Sequence, residues 1–189
     1  MIVRLGHGIM KDLSLHILDI VQNSITAGAK NIKISLEESD NKDLIYIAVR
    51  DDGAGMSADF LEKVMDPFTT SRTTRSVGLG IPLLKSAAQM TGGDLEISSK
   101  QGEGTDISVT FKKSNIDCPP LGDIGSTVIT LIQGSPELNF IVDYQTDKGQ
   151  FTMDTTVFKN ELGDIPLDEP EILAWIQGWF QENREEIYK

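Results

Sequence analysis

The chain has a single cysteine, Cys118, among its 189 residues. An internal disulfide is excluded, and a metal site built from several thiolates is not expected. No apolar run approaches the roughly 18–20 residues that span a bilayer. The opening stretch, MIVRLGHGIMKD, lacks the apolar core of a secretory signal. A cytoplasmic location is the resulting expectation. Aromatic residues are sparse at 6%, but a hydrophobic content of 39% still suffices for a buried core. Basic residues run short in one region only. Residues 1–114 hold 13 Lys/Arg against 15 Asp/Glu, whereas residues 115–189 hold 4 against 14, so nearly all of the net charge of −12 sits in the C-terminal portion. Such an acidic portion disfavours nucleic acid and anionic membrane as partners. It leaves a solvated surface, or docking to a basic protein partner.

What the chain does have is periodicity. MKDLSLHILDIVQNSITAGA places Leu13, Ile17, Ile20, Val21 and Ile25 at helical spacing and closes on alanine and glycine. KNIKISLEE and DLIYIAVR alternate as strands on either side of the acidic turn ESDNKD. SADFLEKVMD starts on a serine cap and reads as a helix. GLGIPLLKSAAQMTGG reads as a longer helix, entered and left through glycines. DLEISSKQGEGTDISVTFKK gives two strands around a glycine-rich turn.

The CPPLGD stretch suggests a boundary, because two prolines cannot continue a strand ladder. A short helix near STVITLIQG and the strands ELNFIVDYQ and GQFTMDTTV follow. The last element is an amphipathic helix from about Glu169, with Leu173, Ile176, Trp179 and Phe180 on one face. That face suits either core packing or a partner. The order of elements predicts an α+β sandwich rather than an alternating parallel α/β fold. The expected division is an extension over residues 1–10, a main domain over 11–114 and a small acidic α+β appendage over 115–189.

Three stretches can carry chemistry. His16, Asp19 and Asn23 recur at i, i+3 and i+7 and share one helical stripe. An asparagine carboxamide oxygen suits a hard cation such as magnesium, although a solvated polar face is the plainer reading. RDDGAGM sets two carboxylates before two glycines directly after a strand, which alone means a tight turn. TTSRTTRSVGLGI is a hydroxyl-rich loop with Arg72 and Arg75 that runs through Gly78 and Gly80 into a helix N-terminus. Backbone N–H groups there, together with the arginines, suit a polyphosphate. A plain linker is the alternative, and GEGT at 102–105 is a weaker signal still.

Taken in order, these motifs resemble the GHKL ATP-binding superfamily of gyrase, the large heat-shock chaperone, histidine kinases and mismatch-repair ATPases. The resemblance covers roughly residues 11–113 and is closest to a stand-alone histidine-kinase-like domain. It implies a Bergerat-type two-layer α/β sandwich, a mixed sheet with helices on one face, that binds ATP and Mg2+. DIVQNSITAGA looks like the N box, with Asn23 in the magnesium-binding place. DDGAGM looks like the first glycine box. Asp51 would accept from the adenine amino group, Gly53, Gly55 and Met56 would line the nucleotide, and Asp52 stands where the family often has asparagine. DPFTTS resembles the phenylalanine box, with Phe68 and Thr69. VGLGI looks like the second glycine box, which puts Gly78, Leu79 and Gly80 near the phosphates. Thr105 corresponds to the threonine beside adenine.

There are departures from the pattern. Asp19 occupies the place of the family's general-base glutamate on a stem one methylene shorter. No lysine takes the position that reaches the gamma-phosphate, and Arg72 or Arg75 is its expected substitute. The loop at 69–77 is short for a nucleotide lid and is expected to order on ATP.

The function this implies is a protein kinase, of histidine-kinase catalytic or anti-sigma-factor type, acting on a separate protein partner. The alternatives are an ATP-gated regulatory module that signals through the C-terminal portion, or a slow ATPase. With a short stretch before the first helix, phosphorylation on a hairpin of its own presenting a histidine is not expected. His16 is disfavoured in that role because it shares the helix that would hold magnesium. Met10 is an alternative start.

Overall fold

The computed structural model describes residues 12–65 and 80–189. Helix α1 (Leu13–Thr26) leads to strands β1 (Asn31–Ser39) and β2 (Leu44–Asp51). Helices α2 (Ala58–Met65) and α3 (Gly80–Thr91) follow, then β3 (Leu95–Lys100) and β4 (Gly104–Lys112). The C-terminal portion holds α4 (Ile124–Gly134), β5 (Asn139–Thr146), β6 (Gln150–Asp154), α5 (Thr155–Leu162) and α6 (Pro170–Glu186). The helices and strands expected up to residue 113 therefore form within a few residues of their sequence bounds.

Among the described residues the strands make one mixed sheet in the order β3-β4-β2-β1-β5-β6. Only the β1–β5 pair is parallel, with Ile34 opposite Val142. Alternation puts Ile32, Ile34, Leu36, Ile45, Ile47, Val49, Val109, Phe111, Phe140 and Val142 on one buried face. The helices cover that face, with Leu13, Ile17, Ile20, Val21, Leu84, Val128 and Ile132 in the same core. Burial of this apolar set is the main stabilising contribution, at roughly 25 cal/mol per Å² removed from water. The architecture is the expected two-layer α+β sandwich.

Two features of the C-terminal portion add to the sequence reading. Residues 115–189 carry their own helices and strands, and these pack onto the first part of the chain. The Pro119–Pro120 segment doubles back onto the start of α1, where Leu13 N–H donates to Pro120 O and Ser14 N–H to Leu121 O, both at 2.9 Å. Then β5 joins the edge of β1 and extends the sheet. The second, a difference from that reading, is local. The run read as a strand through Val157 stops at Asp154, whose carboxylate accepts from Thr156 N–H at 2.8 Å and starts α5. Three β-branched residues favour a strand, but the aspartate cap offers the backbone a competing partner, and the helix wins.

Helix α6 buries Leu173, Ile176 and Phe180, while Trp179 is partly buried. This is the core-packing alternative for that face.

Candidate functional site

The site follows from the pleat of β2. Ile45, Ile47 and Val49 face the helices, so the next residue in that alternation, Asp51, also points into the helix layer. A carboxylate there must be hydrogen-bonded to be tolerated. Asp51 is buried, accepting from Ser24 Oγ at 2.6 Å and from Gly53 N–H at 2.9 Å. Ser24 lies one turn after Ile20 and one residue after Asn23, on the inward side of α1.

Asp52, one residue on, faces the other way. Its carboxylate accepts from Lys30 N–H at 2.7 Å, Asn31 N–H at 2.9 Å and the Asn31 side-chain amide at 2.6 Å. Desolvation pushes its pKa up, but the bonds from Asn31 and Lys30 outweigh that, and the group sits below the ordinary carboxylate value. The two adjacent aspartates thus have separate work. Asp51 faces a cavity, and Asp52 ties the strand end to β1.

The cavity has a volume of about 250 Å³. Ile20, Met56, Val64, Ile81 and Ile107 supply apolar walls, Asp51 and Thr105 supply polar atoms, and Asn23 and Gly55 complete the lining. Asn23 itself is exposed. Thr105 stands opposite Asp51 in the β2–β4 register. Its hydroxyl lies 3.0 Å from Ser99 Oγ, and that oxygen accepts from Met56 N–H at 2.8 Å. An apolar slot with one buried carboxylate on its wall fits a planar heterocycle bearing an amino donor. The larger concavity of about 670 Å³, beside Leu121, Arg184 and Tyr188, contains none of the residues expected to act.

Two glycines make this geometry attainable. Gly55 has φ 63°, and a Cβ on it would lie 2.1 Å from Lys100 O. Gly104 has φ 95°, and a Cβ there would lie 2.0 Å from Asp51 O. Both positions bring the turn after β2 against the β3–β4 turn, as does the 2.7 Å bond from Gly102 N–H to Ala54 O.

Asp19 does not line the cavity. It is partly buried, and a Cβ placed on Gly80 would lie 1.8 Å from its Oδ2, so the carboxylate rests against the first turn of α3. Negative charge is favoured at that end of a helix. His16 departs from the solvated-face reading of its stripe, since it is only 3% exposed and its Nδ1 has no partner among the described residues. Burial lowers its pKa, against the opposing influence of Asp19 and Asp12.

The structure therefore brings Asn23, Asp51, Gly55, Met56 and Thr105 to one cavity, with Gly53 bonded to Asp51, and it pairs Asp19 with Gly80. Phe68, Thr69, Arg72, Arg75, Gly78 and Leu79 lie outside the described residues. Ser24 and Ser99 were missed by sequence reasoning. For Ser24 a signal existed, because it shares the helical face of Ile20.

Residues 8–115 match the family model described as histidine kinase-, DNA gyrase B-, and HSP90-like ATPase. That is more than half of the chain, and the protein belongs to this family. It is similar to the non-motile and phage-resistance protein of Caulobacter vibrioides, with 33% identity over 110 residues covering 53% of this chain and 13% of that one. With the sensor histidine kinase WalK of Bacillus subtilis the identity is 31% over 109 residues, 53% of this chain and 18% of that one. With sporulation kinase D of the same organism it is 34% over 101 residues, 52% and 19%. The chain thus spans less than a fifth of the length of each of these relatives. Among solved structures, the Aquifex aeolicus MutL ATPase domain complexed with ADP aligns with a TM-score of 0.47 and 15% identity, covering 95% of this chain and 70% of that one. By its match to the family model, the protein contains a histidine-kinase-like ATPase domain. Among the described residues no helix is long and apolar enough to cross a membrane.

Proposed function

We propose that the cavity binds ATP and that the chain is a protein kinase, of histidine-kinase catalytic or anti-sigma-factor type, acting on a separate protein. The observation that carries the nucleotide reading is the buried Asp51 carboxylate, held by Ser24 and Gly53 and facing an apolar slot. It would accept from the adenine amino group. Guanine presents a carbonyl at that place and would set two acceptors against each other.

From there the phosphates would extend toward Asn23 and the start of α3, where the first turn from Gly80 would offer backbone N–H groups. Asn23, at the edge of the cavity, fits a magnesium ligand, since an exposed carboxamide oxygen can join phosphate and water oxygens around the ion. The ion would offset phosphate charge there. Asp19 would serve as the base for a water, and Arg72 or Arg75 would contact the gamma-phosphate. Phosphoryl transfer needs little else than such positioning and charge stabilisation.

Kinase activity is favoured over simple hydrolysis by the sensor-kinase relatives, although they are several times longer than this chain. The second reading is a nucleotide-gated regulatory module. It is supported by hydrogen bonds running from the residue after Asp51 to the C-terminal portion, in which Asp52 holds Asn31 and Asn31 Oδ1 accepts from the Asn139 side-chain amide of β5 at 2.8 Å.

Calorimetry with ATP and GTP in magnesium tests the nucleotide assignment, and equal affinities would defeat it. Incubation with gamma-labelled ATP and a cell extract separates the two functions. A labelled protein band means a kinase, and label left only on ATP or inorganic phosphate means a module or a slow ATPase.

A further inference from the structure

We propose that the outward face of α6 docks a basic, amphipathic helix of a separate protein, with Trp175 as its apolar anchor and the surrounding carboxylates as its charge complement. Trp175 is 46% exposed, and its ring meets Phe158 edge to face with centroids 5.2 Å apart. Leu173, Ile176 and Phe180 occupy the opposite, buried side. Glu171, Trp175, Gly178, Glu182 and Glu186 recur at helical spacing and so share one stripe. Every residue of that stripe is exposed. At 1.5 Å per residue it runs about 22 Å, the length of a four-turn helix laid alongside.

Gly178 gives the stripe its shape. Glycine in the middle of a helix lowers its stability relative to alanine, and no packing requires it here, because a Cβ at this position would meet nothing within 4 Å. Its effect is a notch without a side chain next to Trp175, which a partner's apolar residue can enter.

Among the described residues no salt bridge engages the carboxylates on this face. Among the described residues every salt bridge uses an acid no later in the chain than Asp143. Three of the four later cations are turned elsewhere. Lys159 donates to Glu137 O, Leu138 O and Asn139 Oδ1. Lys148 donates to the carbonyls of Tyr188 and Lys189. Arg184 lies over the Tyr188 ring. A basic partner supplies the missing cations, whereas a second copy, nucleic acid or an anionic membrane brings like charge and is repelled.

The test uses the two tryptophans as reporters. Trp179→Phe leaves Trp175 as the sole tryptophan in the intact chain. Titration with a synthetic helical peptide of leucine and lysine should shift its emission to the blue and saturate. A peptide with glutamate in place of lysine, and one with serine in place of leucine, should bind at least about tenfold more weakly, the scale of losing one anchor contact. Glu171→Lys with Glu182→Lys should abolish the shift with circular dichroism unchanged, and Gly178→Leu should weaken it while the melting temperature holds or rises, since a side chain there meets nothing and removes a mid-helix glycine. Acrylamide quenching of the wild type, where both tryptophans report, should rank the peptides in the same order. An unresponsive Trp175, an equal response to the glutamate peptide, or charge-reversed protein that binds as well as wild type would overturn the proposal. So would a blue shift that grows with protein concentration alone, which would identify a second copy as the occupant.

Discussion

Replacing Asp51 by asparagine changes one atom and separates the two demands on this residue. In the native site one carboxylate oxygen accepts the fixed Gly53 N–H at 2.9 Å, and the other accepts the Ser24 hydroxyl at 2.6 Å. Asparagine must keep its oxygen on the Gly53 side, because a backbone donor cannot turn, and so its NH2 takes the Ser24 side. Ser24 can adapt, since its hydroxyl also lies 3.3 Å from Ile20 O and can donate there while accepting from the new amide. The loss of folding stability should therefore stay near the lower end of the roughly 1–3 kcal/mol for a mispaired buried group. Nucleotide has no such escape. The adenine amine would meet a donor instead of an acceptor, and the full cost of about 1–3 kcal/mol, or roughly 5- to 150-fold in Kd, should appear in binding. Calorimetry with ATP and magnesium, beside urea unfolding of the same samples, measures both terms. Wild-type affinity in a folded Asp51→Asn variant would refute the reasoning, and so would a stability loss large enough to account for the binding loss.

Three further outcomes are expected. Asn23→Ala should remove the magnesium dependence of nucleotide affinity without changing the melting temperature, because the side chain is exposed and leaves no core cavity. Calorimetry with and without magnesium checks this, and an unchanged response would place the ion elsewhere. Gly104→Ala forces φ near 95° on an L-residue and sets a Cβ 2.0 Å from Asp51 O, so it should cost on the order of 1–3 kcal/mol or more in urea unfolding. Alanine tolerated there at no cost would contradict the close approach of the two turns. His16, held below its ordinary pKa by burial, binds a proton less readily in the folded state than in the unfolded one, so unfolding at mildly acid pH takes up a proton. Its contribution is fully present above the unfolded value of about 6.5 and is lost as pH falls through the folded value. Urea midpoints should therefore drop from neutral to mildly acid pH, and His16→Leu should flatten that dependence.

Short-range order was legible in the sequence wherever local periodicity and a turn signal agreed. The alternation of DLIYIAVRD fixes which face each side chain of β2 takes. It therefore also points Asp51 and Asp52 in opposite directions, before any contact is known. The spacing of Ile20 and Ser24 on α1, and the glycines flanking the turn after β2, are local facts of the same kind. Only the tertiary structure decided what each of these meets. Ser24 finds Asp51 across 27 residues, Asp19 rests against Gly80, and β5 takes the edge of β1 more than 100 residues away in the chain. The proline pair at 119–120 looked like a boundary because prolines end strands, yet their carbonyls remain acceptors, and the start of α1 uses one of them. At Asp154 the local signals themselves conflicted, β-branched residues against a capping carboxylate, and the packing of Phe158 into the core settled the matter for helix. A side chain's own neighbours along the chain set its direction, but its partner depends on which distant surface the hydrophobic core brings opposite it.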